Sequence, residues 1–386
     1  MMNFRRLCVC SHRSSFVVFL VFGACFLFYH MDLNEVVPEW DLKWTKTVRN
    51  HGLNVTADNR TDPRSTSEPN TTAESQNMTS TQEADPSTPQ QTAHPSVVDQ
   101  NPAVPDVSLK PYLVEYPYKY NFLMNEPQRC EQEKPFLVLM VPVAPHNRKH
   151  RDVIRSTWGG QSSVLGKELR LFFLLGLQTG DGAELLREQL LQESKEHQDL
   201  IQSDFLDCYK NLTIKTMVML EWLDSYCSSA SYAMKIDSDM FLNVPNLIKM
   251  LLEAPKTNYL SGFVERQGGV RRDKYSKWYI PEELYSEPVL PHYALGLGYV
   301  LSLDLPKKLV EASRHVRALY IEDVYLGLCM KHAGIPLTDP PSGNYFHFFP
   351  KPYSRCDFSQ IVATTINENM DRIWLWNDFN RPGPYC

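Results

Sequence analysis

Apolar positions are segregated along this chain rather than spread evenly. Phe16 to Tyr29 is almost wholly apolar, Val55 to Ser108 contains no aromatic residue, no Leu and no Ile, and aromatic residues return from Pro111 onward. In that last stretch Phe136–Val143, Leu171–Gly176 and Tyr232–Ile236 are apolar runs of strand length, the pattern of strands buried on both faces. Between and after them, Arg151 to Trp158 reads as a helix start, and Ala183 to Glu196 and Leu212 to Tyr226 carry helical spacing. Asn246 to Leu252 predicts a short helix, Tyr299 to Ser302 a further strand and Leu305 to Arg314 a further helix. Strands alternating with helices predict βαβ units and a mostly parallel sheet, hence an α/β fold.

The other two zones have different physics. Arg5, Arg6, His12 and Arg13 precede the apolar run, and Asp32 and Glu35 follow it. The 14–31 span sits near the short end of the roughly 17–25 residues that cross a bilayer, and no small-x-small cleavage site follows Tyr29. An uncleaved signal anchor follows, with residues 1–13 as a cytoplasmic tail and everything after the span lumenal. Residues 32–115 are poor in apolar surface and rich in Ser, Thr and Pro, so they read as a largely disordered stem. Asn-x-Ser/Thr acceptors at Asn54, Asn59, Asn70, Asn77 and Asn211 all fall on the lumenal side. Cys130, Cys208, Cys227, Cys329, Cys356 and Cys386 form an even lumenal set whose pairing sequence alone leaves open. Residues 116–386 are left as one α/β domain. The net charge of −6 argues against nucleic acid as a partner.

Three clusters carry candidate chemistry. Asp237-Ser-Asp239 follows the Tyr232–Ile236 run, where alternation on a strand would point both carboxylates at one site. Hard cations take carboxylate oxygens and share them with substrate phosphates, so this is a candidate metal–nucleotide-diphosphate site, with a solvated turn as the plainer alternative. Glu322-Asp323 opens an apolar helical run through Cys329. Helix capping explains it as simply as a general base does. Arg151 and Arg155 are four apart on one helical face, suited to phosphate and equally to an ion pair with a nearby acid. Trp278, Tyr279, Gly296 and Gly298 lie in aromatic, Gly-rich stretches that fit a sugar platform or core packing.

In order, Arg151-x-x-Ile154-Arg155-x-Thr157-Trp158, Phe173–Gly176, Asp204–Asp207 and Tyr209-x-Asn211-Leu-Thr213-x-Lys215-Thr216 are followed by Met234-Lys-x-Asp237-Ser-Asp239-Met-Phe241. Lys277-Trp-Tyr279, Gly296-x-Gly298-Tyr299 and Glu322-Asp323-Val324-Tyr325-x-Gly327 complete the set. Together they resemble the β-1,3-galactosyltransferase family of Golgi type II membrane proteins, which also includes β-1,3-N-acetylglucosaminyl- and N-acetylgalactosaminyltransferases. The resemblance covers about Pro127 to Cys386. It implies a GT-A-type, Rossmann-like fold, a UDP-sugar donor (UDP-galactose in the galactosyl branch), a glycan acceptor on glycoprotein or glycolipid, Mn²⁺, and inversion at the anomeric carbon. It implies Asp239 as the metal ligand, Asp237 as its support, and Asp323 as the base for the acceptor 3-hydroxyl. Arg151 and Arg155 are expected toward the cofactor, and Trp278, Tyr279, Gly296, Gly298 and Glu322 toward the sugars.

Two departures stand out. Thr365 occupies the place where the family usually carries a metal-binding His, with His347 the nearest imidazole in sequence. His292-Tyr-Ala-Leu-Gly296 replaces the family's aromatic-Cys-Ser-Gly segment. A donor bearing an N-acetylhexosamine, a glycosidase and a non-enzymatic lumenal protein with a degenerate metal site are the rival expectations.

Overall fold

The apolar runs become the inner strands of one twisted sheet. The computed structural model describes residues 110–386. The 1–13 tail, the 14–31 span, nearly all of the 32–115 stem and the acceptors at Asn54, Asn59, Asn70 and Asn77 lie outside the described residues. No helix among the described residues is long and apolar enough to cross a membrane.

In chain order the strands are β1 (Phe122–Met124), β2 (Leu137–Pro142), β3 (Ser163–Val164), β4 (Lys167–Leu177), β5 (Leu200–Leu206), β6 (Tyr232–Ile236), β7 (Met240–Leu242), β8 (Leu260–Glu265), β9 (Tyr293–Ser302), β10 (Phe346–His347) and β11 (Ala363–Thr365). The main sheet has eight strands in the order β1-β5-β4-β2-β6-β9-β8, with β3 on β4; β10, β11 and β7 form a smaller sheet. β5, β4, β2 and β6 are mutually parallel, whereas β1, β9 and β8 join antiparallel. The parallel centre follows from the helical crossovers. β8 and β9 are joined by a loop instead, so they close that edge as antiparallel neighbours.

Alternate side chains of each inner strand feed two cores. Val138, Met140, Phe172 and Leu174 pack with the helix Leu212–Tyr226 on one face. Leu139, Val141, Phe173 and Leu175 pack with Ile154, Leu190 and Leu247 on the other. A third cluster joins Phe241 to Phe358, Leu375 and Phe379 near the C-terminus. The chain runs β2, β4, β5 outward and then returns to place β6 on the other side of β2. That reversal is a topological switch point, where open α/β sheets bind ligands beyond the strands' C-terminal ends.

Several element boundaries differ from the sequence pattern. The helix expected from Arg151 runs Arg148–Arg155, and a single tight turn, Trp158–Gly160, follows. Trp158 leaves the helix because its indole N–H donates to the Met240 carbonyl at 3.0 Å. The helix expected from Asn246 starts at Val244, where the Asn243 side chain accepts from the Asn246 N–H. β5 and β8 have no counterpart in the expected elements.

Two disulfides staple the described residues, Cys130–Cys227 and Cys356–Cys386. The first closes a sequence separation of 97 and ties the helix Pro127–Glu133 to the end of the helix Leu212–Tyr226. Cys130→Ser is expected to lower unfolding stability by about 2–5 kcal/mol, the usual range for a disulfide closing a long loop, as read by urea denaturation. Unchanged stability would show that the two helices dock without it.

Candidate active site

β6 ends at Ile236, so Asp237 and Asp239 sit in the turn beyond it and strand alternation does not set their directions. Asp237 leans back: its Oδ1 accepts from Lys235 Nζ at 2.7 Å, and its side chain remains 40% exposed. Exclusion of water raises its carboxyl to about 6, with Lys235 opposing the rise and Asp239 and Glu322 adding to it. Asp239 is exposed, and its carboxylate accepts no hydrogen bond among the described residues. Arg372 and His150 flank it. Arg372 Nη1 donates to the Ser238 carbonyl at 2.7 Å, and His150 Nδ1 lies 3.0 Å from Ser238 Oγ. Both Arg372 and His150 feel the Asp239 charge.

Glu322 and Asp323 open the helix Glu322–His332, and their environments differ. Asp323 Oδ2 accepts from the Gly296 N–H and Oδ1 from the Val324 N–H, each at 2.8 Å. Burial raises its pKa, and those two N–H groups pull against the rise. Glu322 is buried and fully engaged. Its Oε1 accepts from Lys235 Nζ at 3.1 Å, and its Oε2 from the Thr216 hydroxyl at 3.2 Å and the Tyr299 hydroxyl at 3.4 Å. The expectation that Glu322 contacts a sugar is therefore corrected: its oxygens are used inside the protein.

Two glycines let the helix bearing Asp323 approach β9. A Cβ at Gly296 would lie 2.5 Å from Glu322 Oε1 and 3.2 Å from Asp323 Oδ2, and one at Gly327 would lie 2.5 Å from the His292 carbonyl oxygen. Gly298 is different, because a Cβ there would meet nothing closer than Met234 Cε at 3.5 Å.

The arginine expectation is also corrected. Arg151 is 1% exposed, bonded through Nε and Nη2 to Glu193 at 2.7 and 2.6 Å, and donates to the Ala144 and Pro145 carbonyls. Arg155 pairs with Asp199, Glu193 and Asp152. Their donors are taken up by Glu193 of the helix Ala183–His197, by Asp199 just before β5, by Asp152 of their own helix and by the two carbonyls. Trp278 is 48% exposed, and its indole lies beside the Tyr209 side chain. Tyr209 in turn feels the charges of Asp323, Glu322 and Asp237, and burial pushes its pKa up to about 12. Trp278 thus stands on the Asp323 side of the cleft. Tyr279 does not: its ring packs edge-on against Tyr112, and its carbonyl accepts from the Tyr320 hydroxyl. At Asn211, Nδ2 donates to the Leu206 carbonyl at 2.8 Å and Thr213 is buried, so in the folded chain this acceptor is an internal tie.

The donor set for a metal was weighed against the same geometry. Among the described residues no three His, Cys, Asp or Glu side chains converge. Asp239 offers a free hard oxygen pair, and position 365 is adjacent: Thr365 pairs with Met240, and the Ile366 N–H donates to the Asp239 carbonyl at 3.2 Å. The Thr365 hydroxyl, however, donates to the Phe348 carbonyl at 3.0 Å. His347 cannot stand in for the missing imidazole. It pairs with Thr364, which pairs with Phe241, and opposed residues share a face while neighbours alternate. His347 is therefore on the face opposite Thr365. The residues fit a hard cation held by Asp239 together with ligand oxygens and water, with position 365 in place but carrying a poor donor.

Side chains without an assigned role in the sequence also shape the site. Lys235 links the two acidic motifs. Lys215, buried, donates to the Val143 carbonyl at 2.9 Å and to Asp207 at 2.8 Å, just beyond the ends of β2 and β5. Tyr293 feels the Asp323 charge from β9. A lysine inside an apolar strand was the one available signal for Lys235; Arg372 and Tyr293 gave none.

A family model described as Galactosyltransferase matches residues 149–341. Human beta-1,3-galactosyltransferase 2 is 38% identical over 263 residues, covering 67% of this chain and 62% of that protein. Mouse beta-1,3-galactosyltransferase 1 is also 38% identical over 263 residues, covering 67% of this chain and 78% of its own length. The chain thus spans somewhat less than two thirds of the first relative and more than two thirds of the second. Among solved structures, mouse xyloside xylosyltransferase 1 in its apo form aligns at 13% identity over 61% of this chain and 98% of its own, with a TM-score of 0.31, too low to bear on the site.

Gly296→Ala and Gly327→Ala are each expected to destabilise the fold by about 1–3 kcal/mol through overpacking. Gly298→Ala should cost less than either. Thermal or urea unfolding of the three variants checks the order, and equal effects would show that β9 and the helix can separate freely.

Proposed function

We propose that this chain, which belongs to the galactosyltransferase family, is an inverting, UDP-sugar-dependent β-1,3-hexosyltransferase of GT-A type. Its donor is UDP-galactose, and its acceptor is the 3-hydroxyl of a terminal GlcNAc- or GalNAc-type sugar on a glycoprotein or glycolipid. A single-pass type II setting in the Golgi membrane, with the catalytic domain lumenal, completes the proposal. The observation that carries it is the arrangement of two unlike acidic sites at the mouth of a switch-point cleft. One offers an unpaired carboxylate, Asp239; the other offers a carboxylate fixed by two backbone N–H groups, Asp323.

Asp323 accepts the proton of the acceptor hydroxyl as that oxygen attacks the anomeric carbon. Its raised pKa favours this role, since a base nearer neutrality takes a proton more readily. The Gly296 and Val324 N–H groups fix the direction of its lone pairs. Trp278 offers a half-exposed aromatic face to the acceptor side. Asp239 is assigned to a divalent cation such as Mn²⁺, with Asp237 supporting the turn; when bound, that cation offsets charge on the leaving diphosphate. Arg372 adds fixed positive charge at the same turn. The segment His292–Gly296 departs from the galactosyl pattern, so UDP-N-acetylglucosamine and UDP-N-acetylgalactosamine belong in the same donor panel.

Asp323→Asn is expected to lower turnover about 10²–10⁴-fold while UDP binding, followed by calorimetry, persists. If Glu322→Gln slows transfer more than Asp323→Asn without loss of stability, the base is misassigned. Because burial raises the Asp323 pKa, activity should fall on acidification through a limb above the ordinary aspartate range.

A metal titration tests the second acidic site. Asp239→Ala should abolish cation-dependent transfer, Thr365→His should lower the Mn²⁺ needed for half-maximal rate, and His347→Ala should leave that requirement unchanged. Transfer by Asp239→Ala at the wild-type rate would remove Asp239 from the role. Absence of transfer by the wild type with every donor would favour the non-enzymatic alternative that Thr365 raises.

A further inference from the structure

We infer that Lys235 is a positioning residue that holds the donor side of the cleft and the acceptor side at a fixed distance from each other. The inference rests on the assignment of Asp323 as base and of the Asp237–Asp239 turn to the donor. Lys235 lies inside β6, between buried Met234 and Ile236, where an apolar side chain would satisfy the packing. Its ammonium is buried and meets oxygens from three separate segments. It donates to Asp237 Oδ1 at 2.7 Å, to Glu322 Oε1 at 3.1 Å and to the Gly296 carbonyl.

The third contact gives the arrangement its reach. The peptide of Gly296 that accepts from Lys235 belongs to the residue whose N–H donates to Asp323 Oδ2 at 2.8 Å. One cation therefore sets the turn carrying the donor-side carboxylates, the strand position that aims the base, and the first residue of the helix on which the base sits. Tyr299, the register partner of Lys235 on β9, closes the fourth side through its hydroxyl on Glu322. Glu322 is thereby assigned too: it anchors the helix to Lys235 and leaves Asp323 as the one acid of the pair open to substrate.

The alternative is a purely structural ion pair, and the two predict different patterns. Misplacing a base by about 1 Å costs on the order of 10²-fold, whereas Lys235 reaches the donor-side turn only through Asp237, and Arg372 holds the same turn a second time through the Ser238 carbonyl. Breaking a buried pair from one side leaves the other charge uncompensated, and neutralising both relieves that penalty. The test compares wild type, Lys235→Met, Glu322→Gln and the double variant. It follows galactose transfer from UDP-galactose to p-nitrophenyl β-N-acetylglucosaminide, UDP-galactose hydrolysis without acceptor, UDP binding by calorimetry with Mn²⁺, and urea unfolding. Lys235→Met should lower transfer on the order of 10²-fold while hydrolysis and UDP binding change only a few-fold. The double variant should regain stability relative to Lys235→Met without regaining transfer. Parallel loss of transfer and hydrolysis, or transfer restored in the double variant, would show that Lys235 only stabilises the fold. A wild type that binds UDP but neither hydrolyses nor transfers overturns the functional assignment, and the coupling falls with it.

Discussion

A buried ammonium must be surrounded by oxygens, and at Lys235 this requirement organises the centre of the molecule. Its acceptors come from the end of β6, from the middle of β9 and from the first turn of the helix Glu322–His332. These segments are far apart in sequence, and each brings one piece of candidate chemistry. The same requirement explains why glycine stands at position 296. A side chain there would enter the space that the Glu322 and Asp323 oxygens occupy. Electrostatics and close packing thus select the same geometry, in which one carboxylate is neutralised internally and its neighbour is left at the surface of the cleft.

Charge burial elsewhere in the domain obeys the same rule with a different result. Arg151 and Glu193 are both 1% exposed and bind each other through two hydrogen bonds, with Arg155 and Asp199 extending the network. Such a network fixes how the helix Arg148–Arg155 seats against the helix Ala183–His197 and β5. It leaves no guanidinium for a ligand. Fixed positive charge at the Asp239 turn comes instead from Arg372, on a short helix that the Cys356–Cys386 bond helps to enclose.

How much of this was legible in the sequence depends on where each residue's partners lie. β2, β4 and β6 were readable because both faces are apolar, and the helix Leu212–Tyr226 because Ile214, Met217, Val218, Leu220, Trp222 and Leu223 recur at helical spacing over a run too long for a strand. β5 was missed because Gln202, Ser203 and Asp204 interrupt its pattern. For Gln202 and Asp204 the cost is met by partners the local sequence does not show, the Gly176 carbonyl and Asn121. Arg151 and Arg155 were ambiguous for the same reason, since Glu193 and Asp199, the buried acids that claim them, arrive 38 to 44 residues later. The motif order singled out the four carboxylates together. It did not reveal that Glu322 faces inward, because that depends on Lys235 lying opposite in the fold.

The segment between β8 and β9, which carries Trp278, is scaffolded independently of the donor-side turn. Arg272 pins it from within by donating to the carbonyls of Ile280, Tyr285 and Glu287, and both of its ends are anchored in the sheet. Replacements at its exposed tip, Tyr275 and its neighbours, alter this segment without passing strain to β6. In evolutionary terms this separates two rates of change. Edits in the tethered loop can accumulate one at a time, while the residues packed around Lys235 can drift only together.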